Sequence, residues 1–166
     1  MHTSKPPYTL RACAACLLFT VAVASPIPAR ADMSAETLHL IDASQRSTPA
    51  DLLALLGHLM EARDLDAIIA IHEDEAAMVK WGGGVARGED AIRQVYVDFF
   101  ATDPVLKVQA LQIVEAGSTA IILGDYTMDY TNANGKIISV EGKFGDMVRQ
   151  QPDGSWLYLL DNPFAP

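Results

Sequence analysis

Residues 62–100 read ARDLDAIIAIHEDEAAMVKWGGGVARGEDAIRQVYVDFF, and this stretch decides the fold. Apolar residues recur at helical spacing in its first third and again after Gly88, whereas Ala76 to Trp81 is typical of a short strand. Gly82-Gly83-Gly84 supplies a turn between that strand and the helix that follows. Helix, strand, turn and helix in this order predict a pocket between helices and a sheet.

The first helix of this stretch is predicted to begin after Asp64 and to end at His72. Glu73-Asp74-Glu75 follows, and three carboxylates at a helix C-terminus oppose the helix dipole and help to stop the helix. The second helix is predicted over Gly88 to Ala101. Two apolar faces are expected to point inward, made by Leu65, Ile68, Ile69 and His72 on the first helix and by Ala91, Ile92, Val95, Tyr96, Phe99 and Phe100 on the second.

The N-terminal 31 residues have the three parts of a secretory signal peptide. Lys5 and Arg11 make the positive start, Ala12 to Ala24 the apolar run, and Ala29-Arg30-Ala31 the cleavage site. The apolar run is shorter than the roughly 20 residues that span a bilayer. We therefore expect an exported protein, periplasmic or secreted, that leaves the membrane after cleavage.

Cleavage before Asp32 would leave 135 residues, enough for one domain with its own core. Both cysteines, Cys13 and Cys16, lie in the signal peptide, so the mature chain has no thiol or disulfide. The net charge changes from −9 to −12 because three basic residues and no acidic one are removed. Such a chain repels phosphate backbones and anionic membranes, so nucleic acid is not an expected partner.

Residues 32–47 are interpreted as a leader and residues 48–166 as the domain. Thr48, Pro49 and Asp51 predict a capped helix start, and the helix is expected to end near Arg63. After Asp103-Pro104 the pattern changes to β-branched and aromatic runs separated by turns. Strands are predicted over Val105 to Glu115, Thr119 to Thr131, Lys136 to Gln150 and Ser155 to Asp161.

Four phrases in this order resemble the NTF2-like superfamily, and within it the SnoaL-like or DUF4440-type proteins related to ketosteroid isomerase. They are Ala62-Arg63-Asp64-Leu65-Asp66-Ala67, Gly88-Glu89-Asp90-Ala91-Ile92-Arg93, Gly142-Lys143-Phe144-Gly145-Asp146-Met147-Val148-Arg149 and Asp153-Gly154-Ser155-Trp156. The resemblance implies an α+β cone in which three N-terminal helices pack on a curved, mostly antiparallel sheet. It also implies an apolar cavity open at one end, and in many members dimerisation through the sheet, so we expect a homodimer.

Some members of this superfamily isomerise, cyclise or dehydrate small hydrophobic molecules, while others only bind them. In relatives of ketosteroid isomerase the catalytic carboxylate lies on the first strand, where this chain has Lys80 or Trp81. The sequence therefore favours binding of a small apolar molecule over catalysis. An isomerase, cyclase or dehydratase and a structural dimerisation module are the alternatives.

His72 and Asp146 are the candidate catalytic residues. His72 ends an apolar stripe where the family often has an aromatic residue that faces the cavity, or it is a core histidine at a helix end. Asp146 shares a strand face with Phe144 and Val148, which would raise its pKa as a proton-transfer residue requires. The alternative is that Asp146 pairs with Arg149, Lys143 or a backbone amide.

Alternation along the strand after Gly117-Ser118 places its aromatic residues on one face and Asp125 and Asp129 on the other, toward solvent or a partner subunit. Asp161-Asn162 is interpreted as the strand end before Pro163. The candidate ligand-binding residues, about half of which would be ordinary core, are Trp81, Tyr126, Met128, Tyr130, Phe144 and Trp156.

No cofactor and no metal are expected. Gly82-Gly83-Gly84 lacks the lysine and the serine or threonine of a phosphate-binding loop. The adjacent side chains of His72 to Glu75 point in different directions, and His39 and His58 have no ligand spacing to them.

Overall fold

The structure is a computed structural model that describes residues 41–165. The predicted signal peptide and the part of the predicted leader before residue 41 lie outside the described residues. Within residues 41–165, no helix is long and apolar enough to cross a membrane. After a short 3₁₀ helix, Ala43–Arg46, come α1 Pro49–Ala62, α2 Leu65–Ala70, β1 His72–Val79, β2 Val85–Arg87, α3 Gly88–Phe100, β3 Val105–Ala116, β4 Thr119–Thr131, β5 Ile137–Gln150 and β6 Trp156–Asp161.

The start of α1 confirms the capping pattern of the sequence. The Thr48 hydroxyl accepts a hydrogen bond from the Asp51 amide at 3.1 Å, and the Asp51 carboxylate accepts one from the Thr48 amide at 3.1 Å. These reciprocal bonds satisfy backbone donors that a helix start leaves unpaired. The helix ends at Ala62, and the left-handed backbone of its C-cap residue Arg63 (φ 55°) turns the chain directly into α2.

The predicted end of the second helix is wrong. Helix α2 ends at Ala70, and His72 opens strand β1 instead of closing a helix. His72 is paired with Tyr158 of β6, and the Tyr158 amide donates to the Ile71 carbonyl at 2.9 Å. Pairing with a distant strand thus outweighs the local helical pattern, because the sheet satisfies the backbone groups that a seventh helical residue would use.

The six strands of the described chain form one sheet in the order β2-β1-β6-β5-β4-β3. Only β1 and β6 pair in parallel, and the other neighbours are antiparallel. The α+β class and the mostly antiparallel sheet are confirmed. Strand β2 was not predicted; its three residues after the glycine turn pair with β1 at the sheet edge.

Two clusters of buried side chains hold the helices on the sheet. One joins α1 to the inner faces of β4, β5 and β6, around Leu52, Ile122 and Tyr158. The other joins α2 and α3 to β1 and β2, around Ile68 and Ile92. A cavity lined by residues of α1, α3 and the sheet lies beside these clusters.

The residues just before the predicted domain start also pack on this body. Arg46 is buried, and its guanidinium donates to the Ser155 hydroxyl at 2.5 Å and lies 4.0 Å from an Asp153 carboxylate oxygen. The predicted boundary at residue 48 stays a prediction. The contacts nevertheless show that the end of the predicted leader is fastened to the turn before β6.

A β-bulge in β6 decides which side chains reach the cavity. Met147 pairs with Leu160, but the next residue, Val148, pairs with Tyr158, so Leu159 is the extra residue. A bulge shifts the alternation of inward and outward side chains by one. Tyr158 before the bulge and Asp161 after it therefore both face inward, although strict alternation would place them on opposite faces.

Candidate functional site

The cavity has a volume of about 480 Å³ and lies between α1, α3 and the inner face of the sheet. This volume is within the range of roughly 300–1,000 Å³ of small-molecule sites. Its walls are mainly apolar, with Leu53, Leu56 and Met60 from α1 and Val95 and Phe99 from α3. An apolar molecule of modest size would therefore be removed from water on several sides.

Glycines on the sheet make room for the two rings of the cavity wall. Tyr126 is paired with Gly142, and Phe144 with Gly124, on neighbouring strands. A Cβ on Gly142 would lie 2.5 Å from the Tyr126 hydroxyl oxygen, and one on Gly124 would lie 2.5 Å from a Phe144 ring carbon. Each ring therefore lies over a glycine of the adjacent strand, and larger residues there would push the rings into the cavity.

Three aromatic side chains lie together at an exposed edge of the cavity. Trp81 is 61% exposed, and its ring meets the ring of Tyr130 at 6.1 Å and that of Phe164 at 5.4 Å, both edge to face. These side chains, which we call the aromatic mouth, come from the segment after β1, from β4 and from the segment after β6. Because Trp81 is largely exposed, this edge is the natural entrance.

Two buried carboxyl groups also line the cavity. Asp146 of β5 is 4% exposed and Asp161 at the end of β6 is 7% exposed, and both line the cavity. Asp146 is paired with Ile122 on the inner face of the sheet, and Asp161 with Met78. A wall that is otherwise apolar therefore carries a pair of acids.

The environment of Asp146 favours its neutral form. Burial raises its pKa well above the ordinary value for an aspartate, and the negative charge of Asp161 raises it further. One hydrogen bond acts in the opposite direction, because the Asn162 backbone amide donates to Asp146 Oδ1 at 2.9 Å. Of the partners considered from the sequence, the backbone amide is the one that the structure shows, since Arg149 instead lies 3.6 Å from Glu73.

More neighbouring polar groups contact the carboxylate of Asp161 than that of Asp146. The hydroxyl of Tyr96, on α3, donates to Asp161 Oδ2 at 2.7 Å. His72 Nε2 lies 3.8 Å from the same oxygen. Burial raises the pKa of the Tyr96 phenol well above its ordinary value, and the Asp161 charge adds to that effect. Tyr96 is thus a constant hydrogen-bond donor to Asp161.

His72 is not placed as the sequence predicted. It opens β1 behind the cavity wall and does not line the cavity. Its Nδ1 lies 2.7 Å from the Ile68 carbonyl oxygen, and its ring stacks on Tyr158 at 5.1 Å. The proposed pairing of His72 with Asp146 across one cavity is therefore not assembled, and Asp161 lies beside the cavity instead.

The other sequence candidates divide clearly. Trp156 is buried in the core cluster that α1 covers, and it does not line the cavity. Asp125 and Asp129 are exposed on the outer face, as alternation predicted. The candidates that the cavity brings together are Trp81, Tyr126, Met128, Tyr130, Phe144 and Asp146.

Asp161 and Tyr96 are the site residues whose role sequence reasoning missed. No carboxylate of β1 lines the cavity, in agreement with the missing acid on the first strand. The parallel pairing of Met78 with Asp161 places an acid of β6 beside that strand instead. The helical spacing of Tyr96 predicts only that it faces inward, and Asp161 is recognisable in the sequence only as an acid at the end of the last strand.

Within the described part of the chain, no three histidine, cysteine or acidic side chains lie together as metal ligands. The arrangement offers other chemistry. A neutral carboxyl can donate a hydrogen bond or a proton to a ligand oxygen, and an ionised carboxylate beside it can accept a proton. Both would act in an apolar enclosure, where such interactions are stronger than in water.

Comparisons with known proteins give one consistent result. A family model described as a SnoaL-like domain matches residues 52–158. A ketosteroid isomerase-like protein from Erwinia carotovora atroseptica has a similar structure, with TM-score 0.61 and 19% identity over 74% of this chain and 98% of that chain. An NTF2-like protein with a cystatin-like fold from Novosphingobium aromaticivorans gives TM-score 0.56 and 17% identity, over 81% of this chain and 88% of that chain. A comparison with curated proteins gave no match.

Proposed function

Because the chain belongs to the SnoaL-like domain family, we propose that its cavity binds a small, mainly apolar molecule through one polar oxygen. One observation carries the proposal: an apolar cavity of about 480 Å³ that has two buried carboxyl groups on one wall. Burying acids is unfavourable unless they meet a partner. A ligand oxygen that accepts a hydrogen bond from protonated Asp146 would be such a partner.

The polar end of the ligand follows from the two acids. Asp146, whose pKa is raised by burial, would donate a hydrogen bond to a carbonyl oxygen. Asp161 already accepts from Tyr96 and would accept a further bond only from a ligand donor. The apolar walls would hold the rest of the molecule, and the aromatic mouth would favour a flat one.

A matched pair of tricyclic ligands tests this proposal. Fluorene and 9-fluorenone have nearly the same shape, but only fluorenone has a carbonyl oxygen. We expect both to bind and fluorenone to bind about fivefold tighter at acidic pH, because one net hydrogen bond contributes about 1 kcal/mol. Since the pKa of Asp146 is raised, the preference should extend above the ordinary range of an aspartate and disappear when Asp146 ionises. Calorimetry over a pH series measures it.

Replacement of the acid supplies the control. Asp146→Leu should bind fluorene and fluorenone equally at every pH, because no donor is left. Asp129→Asn, at an exposed position on the outer face, should behave like the wild type. Failure of both tricyclic compounds to bind the wild-type protein at their solubility limit would contradict the proposal.

A second candidate function is proton transfer next to a carbonyl, as in an isomerase, cyclase or dehydratase. The observation in its favour is the unequal support of the two acids, because a neutral Asp146 would hold the carbonyl and Asp161 would accept the proton. We expect the protein to speed the exchange of α-hydrogens of 2-tetralone in D₂O, followed by NMR. Asp161→Asn should lose about 100-fold or more of that rate. Exchange no faster than in buffer would contradict proton transfer, and only the binding function would remain.

We also propose that the protein is a homodimer formed through the outer face of its sheet. Four apolar residues form a continuous row across four strands, since Val114 is paired with Ile121, Ile121 with Met147, and Met147 with Leu160. Val114 and Met147 are exposed although they are apolar. A row of this kind can meet its own copy across a two-fold axis. Light scattering on the mature chain checks the dimer, and a monomer would contradict it.

We also propose that the protein is exported. This proposal rests on the positive start, the apolar run and the Ala29-Arg30-Ala31 cleavage site of the N-terminus. Removal of the first 31 residues would leave the SnoaL-like domain in the periplasm or outside the cell, where a cysteine-free core does not depend on the redox state.

A further inference from the structure

Resting on the binding function proposed above, we infer that His72 is a positioning residue that holds Asp161 ionised from behind the cavity wall and thereby assigns the proton to Asp146. His72 does not touch the cavity. Its action on a ligand would pass entirely through Asp161.

The orientation of the His72 ring is fixed by its hydrogen bond. Nδ1 lies 2.7 Å from the Ile68 carbonyl oxygen, and a carbonyl can only accept, so Nδ1 carries a hydrogen. The other nitrogen, Nε2, then faces Asp161 Oδ2 at 3.8 Å. Nε2 is buried and makes no hydrogen bond among residues 41–165. The polar edge of the ring is thus directed at Asp161.

Neighbouring rings prevent His72 from turning away. Tyr158 stacks on one face of the imidazole at 5.1 Å with an interplanar angle of 26°. Tyr96 meets it edge to face at 5.9 Å and 69°. The backbone of His72 is also held, because the residue is paired with Tyr158 in the parallel ladder of β1 and β6. A ring held in this way keeps one relation to Asp161.

The charged side chain recorded in contact with His72 is acidic. Asp161 faces it from β6, and Asp146 of β5 lies close enough to Asp161 for the two to interact. Tyr96 of α3 and Tyr158 of β6 are phenols whose pKa is raised by burial, so they stay neutral. Among residues 41–165, His72 is the one basic side chain within 4.0 Å of Asp161. A proton on Nε2 would therefore offset the charge of that carboxylate.

This support makes the two acids unequal. Asp161 has the Tyr96 hydroxyl and His72 on its side, whereas Asp146 has one backbone amide. When two close carboxyl groups share a site, the proton goes to the less supported one. Asp146 is then the hydrogen-bond donor in the cavity, and Asp161 is the acceptor.

The test replaces His72 by leucine and follows the aspartate side-chain carboxyl carbons by ¹³C NMR over a pH series, without ligand. Without the imidazole that faces Asp161, the charge of Asp161 is less compensated, so the titration of the neighbouring Asp146 should move to higher pH. The preference for fluorenone over fluorene should shift to higher pH in the same way. At a pH where the wild type binds both compounds equally, His72→Leu should still bind fluorenone about fivefold tighter than fluorene. His72→Gln, which replaces the imidazole by an amide N–H donor, should lie between leucine and the wild type.

His58→Gln, on the exposed face of α1, is the matched control and should leave the Asp146 titration unchanged. An Asp146 titration in His72→Leu that superimposes on the wild type would overturn the inference. If the leucine variant does not fold, a wild-type titration in His72→Gln overturns it equally. Because the NMR titration needs no ligand, a failure of tricyclic binding with a shifted titration would contradict only the proposed function.

Discussion

Replacement of Gly57 by phenylalanine should greatly weaken the binding of 9-fluorenone and leave the fold intact. Gly57 lies in the middle of α1 and lines the cavity. A Cβ at this position would meet no atom within 4 Å, so a side chain can enter the open space without displacing the backbone. The phenylalanine ring would occupy volume that the ligand needs. We expect affinity to fall by about 30-fold or more, a loss of about 2 kcal/mol, measured by calorimetry.

Alanine at the same position separates volume from backbone effects. Gly57→Ala should stabilise the protein by about 0.5–1 kcal/mol, because glycine in a helix interior is unfavourable relative to alanine. Its affinity for fluorenone should stay within about twofold of the wild type, because a methyl group takes little of the cavity. Wild-type affinity in Gly57→Phe would show that fluorenone binds elsewhere, which would remove the main support for the proposed function.

Much of this fold could be predicted because local patterns and long-range packing agree. Strand β4 was predicted with its observed bounds, Thr119–Thr131, since a tight turn precedes it and a glycine turn follows it. Alternation along β4 also predicted which face is exposed, and Asp125 and Asp129 lie there. The capping pattern at Thr48 predicted the start of α1. In each case the sequence pattern lies within a few residues of the structural element that it predicts.

The site was harder to predict because it depends on distant strands. The pairing of His72 with Tyr158 ends α2 early and moves His72 behind the cavity wall. The bulge at Leu159 turns Asp161 inward, whereas simple alternation from Tyr158 would turn it outward. Neither event has a signature in the residues that undergo it, because each is set by the register with a partner strand. The face of Asp146, by contrast, followed from alternation alone.

The pairing of β1 with β6 explains how the cavity has an acid although the first strand lacks one. Strand β1 has Met78 where it faces the cavity, and the parallel neighbour β6 places Asp161 beside it. An acid can therefore reach the same wall from an adjacent strand. Since Asp161 is supported by Tyr96 of α3 and faced by His72 of β1, the site connects three elements of the fold. Its geometry should respond to changes in any of them.

The stability of the protein should rise at neutral and alkaline pH when Asp146 is replaced by asparagine. A folded-state pKa above the unfolded value means that the folded protein binds the proton more tightly. The wild-type free energy of unfolding should therefore fall as pH increases from the unfolded value of about 3.9 through the raised value. Asparagine does not titrate, and its side-chain oxygen can still accept from the Asn162 amide. We expect Asp146→Asn to be the more stable protein at pH 8, because the folded wild type must there either keep a proton that the unfolded chain has released or bury a second negative charge.

Urea unfolding of both proteins between pH 3 and pH 9 measures this difference. At pH 3 Asp146 is protonated in the folded and the unfolded chain, so the two stabilities should nearly agree, and the gap should grow with pH and then level off. Asp129→Asn changes an exposed carboxylate of the same sheet and should show no such growth. A gap that shrinks with pH would mean that Asp146 is held ionised, and the proton would then have to be assigned to Asp161. That outcome would reverse the roles of the two acids, because Tyr96 would support the neutral acid and Asn162 the charged one.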